Sequence, residues 1–461
     1  MENLTFDEIV KAVDGKVILR GSKEKFNDIS IDTRKLNKGS VFIAIKGENF
    51  NGNKFIHKAV ENGAAFCIVD EVLFEKDSIV QYDVTIVQVK DTKKALLNLA
   101  EYYRSTLDIK VVAITGSTGK TSTKDITASV LRSKFKVFKT SGNFNNEIGL
   151  PLMIFELNNT YDIAVLEMGM SHFDEIHRMA EAARPDIAMI TNIGISHIEN
   201  LHSRENILKA KLEIIDFFKD NNILILNGDN DLLSTVKLNN VHVIKTSIRD
   251  EKDFSACDLV LDENSSNFSV KEKGQKFSNI KLLMPGKHNV ENAMLAIACA
   301  RSLGLTYEEI KKGLLNLELT SMRLDIVNGD NIVIVDDSYN ASPDSMRAAI
   351  DVTKNLKGKR RIAILGTMRE LGEKSHEAHK NVGVYAKENN IDKLLTIGEF
   401  GEAYLEGYGN EENFKSFLDS DELIKFVEEN IRRGDVFLVK ASRLMKFENI
   451  VAKLKELDKE I

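Results

Sequence analysis

The chain has 461 residues, of which 43% are hydrophobic and 29% charged, and its 63 Lys and Arg against 70 Asp and Glu leave a net charge of −7. That is the composition of a globular protein, long enough for about three domains at roughly 100–200 residues each. Without a basic block, nothing points to a nucleic-acid backbone as the main partner, and a small anionic ligand stays open.

The start, MENLTFDEIV, is acidic and amphipathic, and no apolar run approaches the roughly 18 residues that a membrane span needs. A cytoplasmic protein without membrane insertion is expected. From Asn27 to Asp70, NDISIDTRKLNKGSVFIAIKGENF alternates apolar and polar residues at period two, and KFIHKAVENGAAFCIVD reads as helix then strand, a small α/β unit. TKKALLNLAEYYRS is an amphipathic helix leading into a second block. There strands (VVAITG, YDIAVLEMG, DIAMITNIG, NILILNGDN) alternate with helices (DITASVLRSKF, FDEIHRMAEAA, NILKAKLEIIDFF), the pattern of right-handed βαβ crossovers and a mainly parallel sheet. After LELTSMRLD the alternation resumes with NIVIVDDS, SPDSMRAAIDVTKN, RRIAILGTM, HEAHKNVGVYAKENN, KLLTIG, DELIKFVEENI and DVFLVKAS, a second and smaller Rossmann-type sheet. The expected fold is therefore α/β in three blocks, placed at 1–84, 85–320 and 321–461. Cys67, Cys257 and Cys299 have neither disulfide nor metal spacing and are expected reduced in the core.

The chemistry starts at VVAITGSTGKTSTKD, where a strand runs into a Gly-rich turn and a helix. Such a turn surrounds a phosphate with backbone N–H groups at a positive helix end, and a following Lys and hydroxyl serve the outer phosphates and Mg²⁺. Gly116, Ser117, Thr118, Gly119, Lys120, Thr121 and Ser122 are the nucleotide-binding candidates. The match to G-x-x-x-x-G-K-[ST] is incomplete, because position 114 is Ile. Glu167 ends an apolar strand where ligands gather in open α/β sheets, although a carboxylate there could equally cap the next helix. His197 follows ITNIGIS as a metal or phosphate candidate or a polar loop residue, and Lys211 is either part of the same site or a solvated helical lysine. No Ser/His/Asp or Cys nucleophile arrangement is present, and His172, His177, His376 and His379 are expected to be structural.

Taken in order, TGSTGKTS, TSGNFNNEIGLP, LEMGMSHFDEI, ARPDIAMITNIGISHIEN, KAKLEI, PGKHNVENAMLAIA, DDSYNASPDSM and LGTMRELG resemble the Mur ligases of peptidoglycan synthesis across nearly the whole chain. The likeness is greatest to members that join D-alanyl-D-alanine to UDP-N-acetylmuramoyl-tripeptide. It implies a small UDP-substrate domain, a central P-loop ATPase domain and a C-terminal Rossmann-like domain. It further implies that Lys120 and Thr121 hold the β and γ phosphates of ATP and one Mg²⁺, with Thr121, Glu167, His197 and Lys211 as the metal set and Lys120, Glu167, His197 and Lys211 as the catalytic set. Lys211 matches a lysine that several members carry as an N-carboxylated side chain, which would turn a cation into an anion able to hold a second Mg²⁺. Asn292 matches a residue contacting adenine, with a helix cap or core hydrogen bond as the plainer role. Arg323 and Asp337 match residues that close over ATP. Asn143, Asn146, Tyr339 and Asn340 fall in substrate-binding segments, the two former with a turn-forming alternative. Asp32, Thr33, Arg34, Lys46 and Gly47 fall in the uridine-diphosphate segment.

The implied reaction phosphorylates the tripeptide's terminal carboxylate with ATP, and the dipeptide amine then attacks the acyl phosphate. A monomer with a lid motion is expected, TSMRLD acting as hinge. The chain departs from the family pattern with Thr33 in DTRK for Ser, NGNKFI for DGHDFI, Thr367 for Asp and Ala441 for Gly. Other readings are a related ligase adding a diamino acid, for which the D-N-P-R motif is missing, folylpolyglutamate synthase, which lacks the UDP-sugar domain, and a nucleotide-dependent switch that performs no ligation.

Overall fold

The structure, a computed structural model, describes residues 1–461 apart from the side chain of Lys76. The chain divides into two compact units, Met1–Ile114 with Phe135–Ala188 and Leu212–Ile223, and Thr115–Lys134 with Met189–Lys211 and Leu224–Ile461.

In the first unit, a five-stranded sheet has the order Lys16–Leu19, Thr85–Gln88, Phe66–Val69, Val41–Ile43, Ile29–Ser30. Only its first pairing is antiparallel. The period-two pattern predicted strands here, and the connecting TRK forms a single tight turn at Thr33–Lys35 because the Asp32 side chain accepts the Arg34 N–H. Phe42, Ile56, Val60, Cys67 and Ile86 pack into the core under this sheet. The helix Thr92–Ser105 follows, its first turn closed by Asp91 accepting from the N–H groups of Lys93 and Lys94.

The nine-stranded sheet has the order Gln275–Leu282, Ser266–Glu272, Phe254–Leu261, His242–Ser247, Ile223–Asn227, Ile187–Ile190, Lys110–Thr115, Ile163–Glu167, Val137–Lys139. Ile163–Glu167 is parallel to both of its neighbours, as the alternating pattern predicted. At the other edge Ser266–Glu272 pairs antiparallel with both Phe254–Leu261 and Gln275–Leu282, which the sequence reading missed. Polar residues alternate along these strands, so one face is solvated, and Lys273-Gly274 at φ 49° and 77° makes the tight turn that hairpins favour. Cys257 lies on this edge, half-buried, not in the core expected of it.

Within the second unit, the strands Asp325–Asn328, Val333–Asp336, Asp435–Lys440, Arg360–Gly366, Lys393–Ile397 and Phe414–Phe417 form a six-stranded sheet in that order. It is parallel except for its first pairing. Ile334, Ile364, Phe437, Val439, Leu423 and Leu454 form its core. The helix Gly401–Tyr408 and the strand Phe414–Phe417 were not read from the sequence. Among the described residues no helix is long and apolar enough to cross a membrane.

Candidate active site

The phosphate loop belongs to the second unit from Thr115 onward. Its shape is held by the segment that leaves Ile187–Ile190. Ser117 N–H donates to the Asn192 carbonyl at 3.0 Å and Thr118 N–H to Asn192 Oδ1 at 2.8 Å. Thr191 Oγ1 donates to the Thr118 carbonyl, and Gly194 N–H donates to Ser117 Oγ at 3.0 Å. Two of the loop's donors therefore brace it, which leaves the start of the helix Lys120–Leu131, where the aligned peptide dipoles favour an anion, as the candidate phosphate-binding end. Lys120 Nζ donates to the Gly116 carbonyl at 2.9 Å, curled over the loop it follows. Thr121 is buried and Ser122 half-buried on that first turn. Asn192 was missed by sequence reasoning; its only signal was its place in the quoted segment ITNIGIS.

A side chain at Gly119, whose φ is 79°, would put Cβ 2.7 Å from Asn292 Oδ1, so the helix Lys287–Ser302 brings Asn292 directly against the loop. Lys211, on Arg204–Leu212, is fully buried. Burial holds its ammonium well below the usual lysine range, and the nearby charge of Lys120 lowers it further. The solvated helical lysine is thereby ruled out. His197 heads the short helix Ile198–Leu201, and its Nδ1 pairs with the Glu370 carboxylate.

Arg323 lies with its guanidinium 4.0 Å from the centre of the Tyr339 ring, and its Nε is buried with no hydrogen-bond partner. Asp337 is occupied: Oδ1 accepts from Leu324 N–H at 3.2 Å, and Oδ2 pairs with the buried Lys440, which also donates to the Asn340 carbonyl at 2.8 Å. Burial pushes the Asp337 carboxyl up and the Lys440 ammonium down, and each charge opposes the other's shift. Lys440, which closes the strand ending in VKAS, is a second residue that motif reading passed over.

In the first unit, Glu167 is buried at its strand end, with its N–H on Thr140 Oγ1 at 3.0 Å and Oε1 accepting from Asn145 Nδ2 at 2.8 Å. Asn145, not its singled-out neighbours, reaches this carboxylate. Asn146 Oδ1 accepts from Ile148 and Gly149 N–H at 3.2 and 2.8 Å, a turn role, and Asn143 is exposed. Arg34 binds Asp32 through two hydrogen bonds of 2.9 and 2.8 Å, holding that carboxyl down at about 2. Asn62 Nδ2 donates to the Thr33 carbonyl at 2.7 Å, Lys46 pairs with Glu71, and Gly47 N–H donates to the Phe50 carbonyl at 2.7 Å. Asn51 and Asn53, where DGHDFI would have Asp and His, lock this loop: Asn53 Nδ2 donates to Asn51 Oδ1 at 2.9 Å and to Asp70 at 2.5 Å. His172, His177 and His376 pair with surface carboxylates, and His379 is core.

The family models for the Mur ligase catalytic domain, the Mur ligase middle domain and the Mur ligase glutamate ligase domain match residues 25–104, 114–300 and 322–443. The chain belongs to the Mur ligase family and carries its three α/β domains. It is 40% identical over 433 residues, 93% of each chain, to the UDP-N-acetylmuramoyl-tripeptide--D-alanyl-D-alanine ligase of Bacillus subtilis. A crystal structure of MurF from Acinetobacter baumannii matches with a TM-score of 0.91 at 30% identity, over 99% of both chains. MurF ligase from Thermotoga maritima, solved in complex with ADP, matches with a TM-score of 0.84 at 28% identity, over 94% of this chain and 98% of that one.

Proposed function

We propose that this chain is the ATP-dependent amide ligase that joins D-alanyl-D-alanine to UDP-N-acetylmuramoyl-tripeptide, giving UDP-N-acetylmuramoyl-pentapeptide, ADP and phosphate. The observation that carries this reading is a likeness over 93% of both chains to an enzyme of that name, supported by a braced glycine turn at a helix N-terminus, an arrangement suited to phosphate. The boundaries 1–84, 85–320 and 321–461 go with it, for UDP-substrate, ATP and closing domains. So do a monomeric state and a cytoplasmic location, where nucleotide-linked precursors and ATP are at hand.

A carboxylate does not acylate an amine unaided. The tripeptide carboxylate attacks the γ-phosphorus of ATP, ADP leaves, and the acyl phosphate then takes the dipeptide's amine. The tetrahedral adduct collapses to the amide and phosphate. Lys120 and the first turn of Lys120–Leu131 offset the charge that spreads over the γ-phosphoryl oxygens. Arg323, with its orphaned buried Nε, supplies a second cation for an anionic ligand. The oxygen-bearing Thr121 and Glu167, with His197, suit a hard divalent cation, and Mg²⁺ typically uses one or two carboxylates plus phosphates instead of an all-protein cluster. Among the described residues no group of three His, Cys, Asp or Glu is placed to hold a metal. Bound Mg²⁺ supplies charge neutralisation on the phosphate oxygens. An uncharged Lys211 amine is the form that adds to CO2, losing a proton to give a carbamate anion, and beside Lys120 that anion replaces a repulsion with an attraction.

The test is phosphate release with Mg-ATP and UDP-N-acetylmuramoyl-tripeptide, with and without D-alanyl-D-alanine. Release should require the dipeptide and disappear in Lys120→Ala. Release indifferent to both acceptor substrates points to a nucleotide-driven switch instead.

A further inference from the structure

The loop Gly366–Gly372, from the segment LGTMRELG, has no part in the chemistry above. It is nevertheless firmly built. Met368 N–H donates to His379 Nε2 at 2.9 Å, and Ser442 Oγ donates to the Thr367 carbonyl at 2.7 Å while accepting from Arg369 N–H at 3.2 Å. At its far end the Glu370 carbonyl accepts from Glu199 N–H at 3.4 Å, and Gly372, at φ 54°, lies against Glu199. The product of this anchoring is the contact between the Glu370 carboxylate and His197 Nδ1. Both residues hold left-handed backbone, φ 63° and 64°, a region in which a non-glycine residue is strained. Both side chains are partly open to water, 23% for His197 and 47% for Glu370, and a polar contact so exposed adds little stability. Two strained residues meeting in a weak contact are better explained by orientation than by stability.

We infer that Glu370 is a positioning residue for the ligase reaction: by accepting from His197 Nδ1–H it fixes the ring and its tautomer, making Nε2 the nitrogen that serves a metal ion or phosphate oxygen. This rests on the proposed ligase reading. The logic is that of any ligating histidine whose second nitrogen is held by a carboxylate. Glu370 comes from the last sheet and His197 from the segment after Ile187–Ile190, so the ring is oriented only while the two segments are docked. Closure and assembly of the phosphate site then become one event.

Three forms of the full chain decide the matter: wild type, Glu370→Ala and Glu370→Gln. Each is assayed for steady-state constants, for Mn²⁺ affinity by electron paramagnetic resonance with a non-hydrolysable ATP analogue bound, and for melting temperature. Glu370→Ala should lower kcat and Mn²⁺ affinity by ~10–100-fold, leave KM for the UDP-tripeptide unchanged and melt with wild type. Glu370→Gln, which keeps an acceptor oxygen, should restore most of both. An Ala variant with wild-type kcat and Mn²⁺ affinity overturns the inference, as does equal loss in Ala and Gln or a loss that follows melting temperature. Wild-type phosphate release independent of the two acceptor substrates would count against the ligase reading, while the Mn²⁺ titration would still decide the role of Glu370.

Discussion

Gly116 and Gly119 stand three residues apart in one loop, yet each excludes a side chain for its own reason. A Cβ on Gly116 would overlap Thr191 Oγ1, the group that braces the loop, whereas one on Gly119 would meet Asn292. Ile114, which spoils the usual spacing of the motif, is a strand residue opposite Glu167 and fully buried, so the loop proper begins later than that pattern assumes. The tight turn at the glycines and Lys120 was legible because its constraints fall on consecutive residues. Asn192, Lys440 and Glu370 were not, because each acts on a partner that only the folded chain brings near. His379 shows what such a partner does to a titration. Buried flat on Phe400 at 4.2 Å, it donates Nδ1–H to the Ser375 carbonyl at 2.6 Å and accepts from Met368 N–H, so the folded state wants it neutral. Burial lowers it from 6.5 to about 4. The stability that depends on the neutral ring is complete above about pH 6.5 and is lost as pH falls through 4, because the unfolded chain binds the proton first. Wild type should lose up to about 3 kcal/mol more than His379→Gln between those pH values. Urea unfolding of both at several pH values checks this, and parallel curves would mean that the ring is protonated without penalty.

Elements were legible where period and caps agreed. Thr92–Ser105 was read to the residue, since Asp91 caps one end and its apolar face is continuous. The antiparallel edge Phe254–Leu282 escaped because its strands are half-solvated and bent: Asp258 and Asn279, at φ 52° and 62°, sit where the pairing register slips. The expected hinge TSMRLD has a physical signature of its own. Thr320 N–H is pinned to Asp125 Oδ2 at 2.8 Å and Leu324 N–H to Asp337, while Met322 and Leu324 hold φ of 61° and 53° around Arg323. A segment fixed at both ends with strained residues between them can release only by changing those dihedrals. Met322→Ile, which adds a β-branch where φ is positive, should cost about 1–2 kcal/mol, and Met322→Gly should stay within about 0.5 kcal/mol of wild type. Denaturant midpoints settle it; an Ile variant as stable as wild type would show that the left-handed turn is not kept in solution.

At the scale of the whole molecule, the three-block reading rested on alternating strands and helices, and the physical counterpart of a block is a core of its own. Phe42, Ile56, Cys67 and Ile86 form one such core in the first unit, and Ile334, Ile364, Phe437 and Val439 another in the second. Cores built from different stretches need not melt together, so unfolding should not be two-state. Ligands then become labels for the blocks. A ligand at a hundred times its dissociation constant stabilises the part that binds it by about 2.7 kcal/mol, roughly 5–10 °C for a block of about 150–250 residues and roughly 11–22 °C for one of about 60–100. On the proposed assignment, UDP-N-acetylmuramoyl-tripeptide should raise the transition of the block containing Asp32 to Gly47, and Mg-ADP should raise the transition of the part containing Lys120 and Asn292. Scanning calorimetry with each ligand alone separates the cases. A single transition displaced equally by both would mean that the cores unfold as one, and a UDP-tripeptide shift confined to the nucleotide transition would put the substrate in a different domain from the one assigned to it.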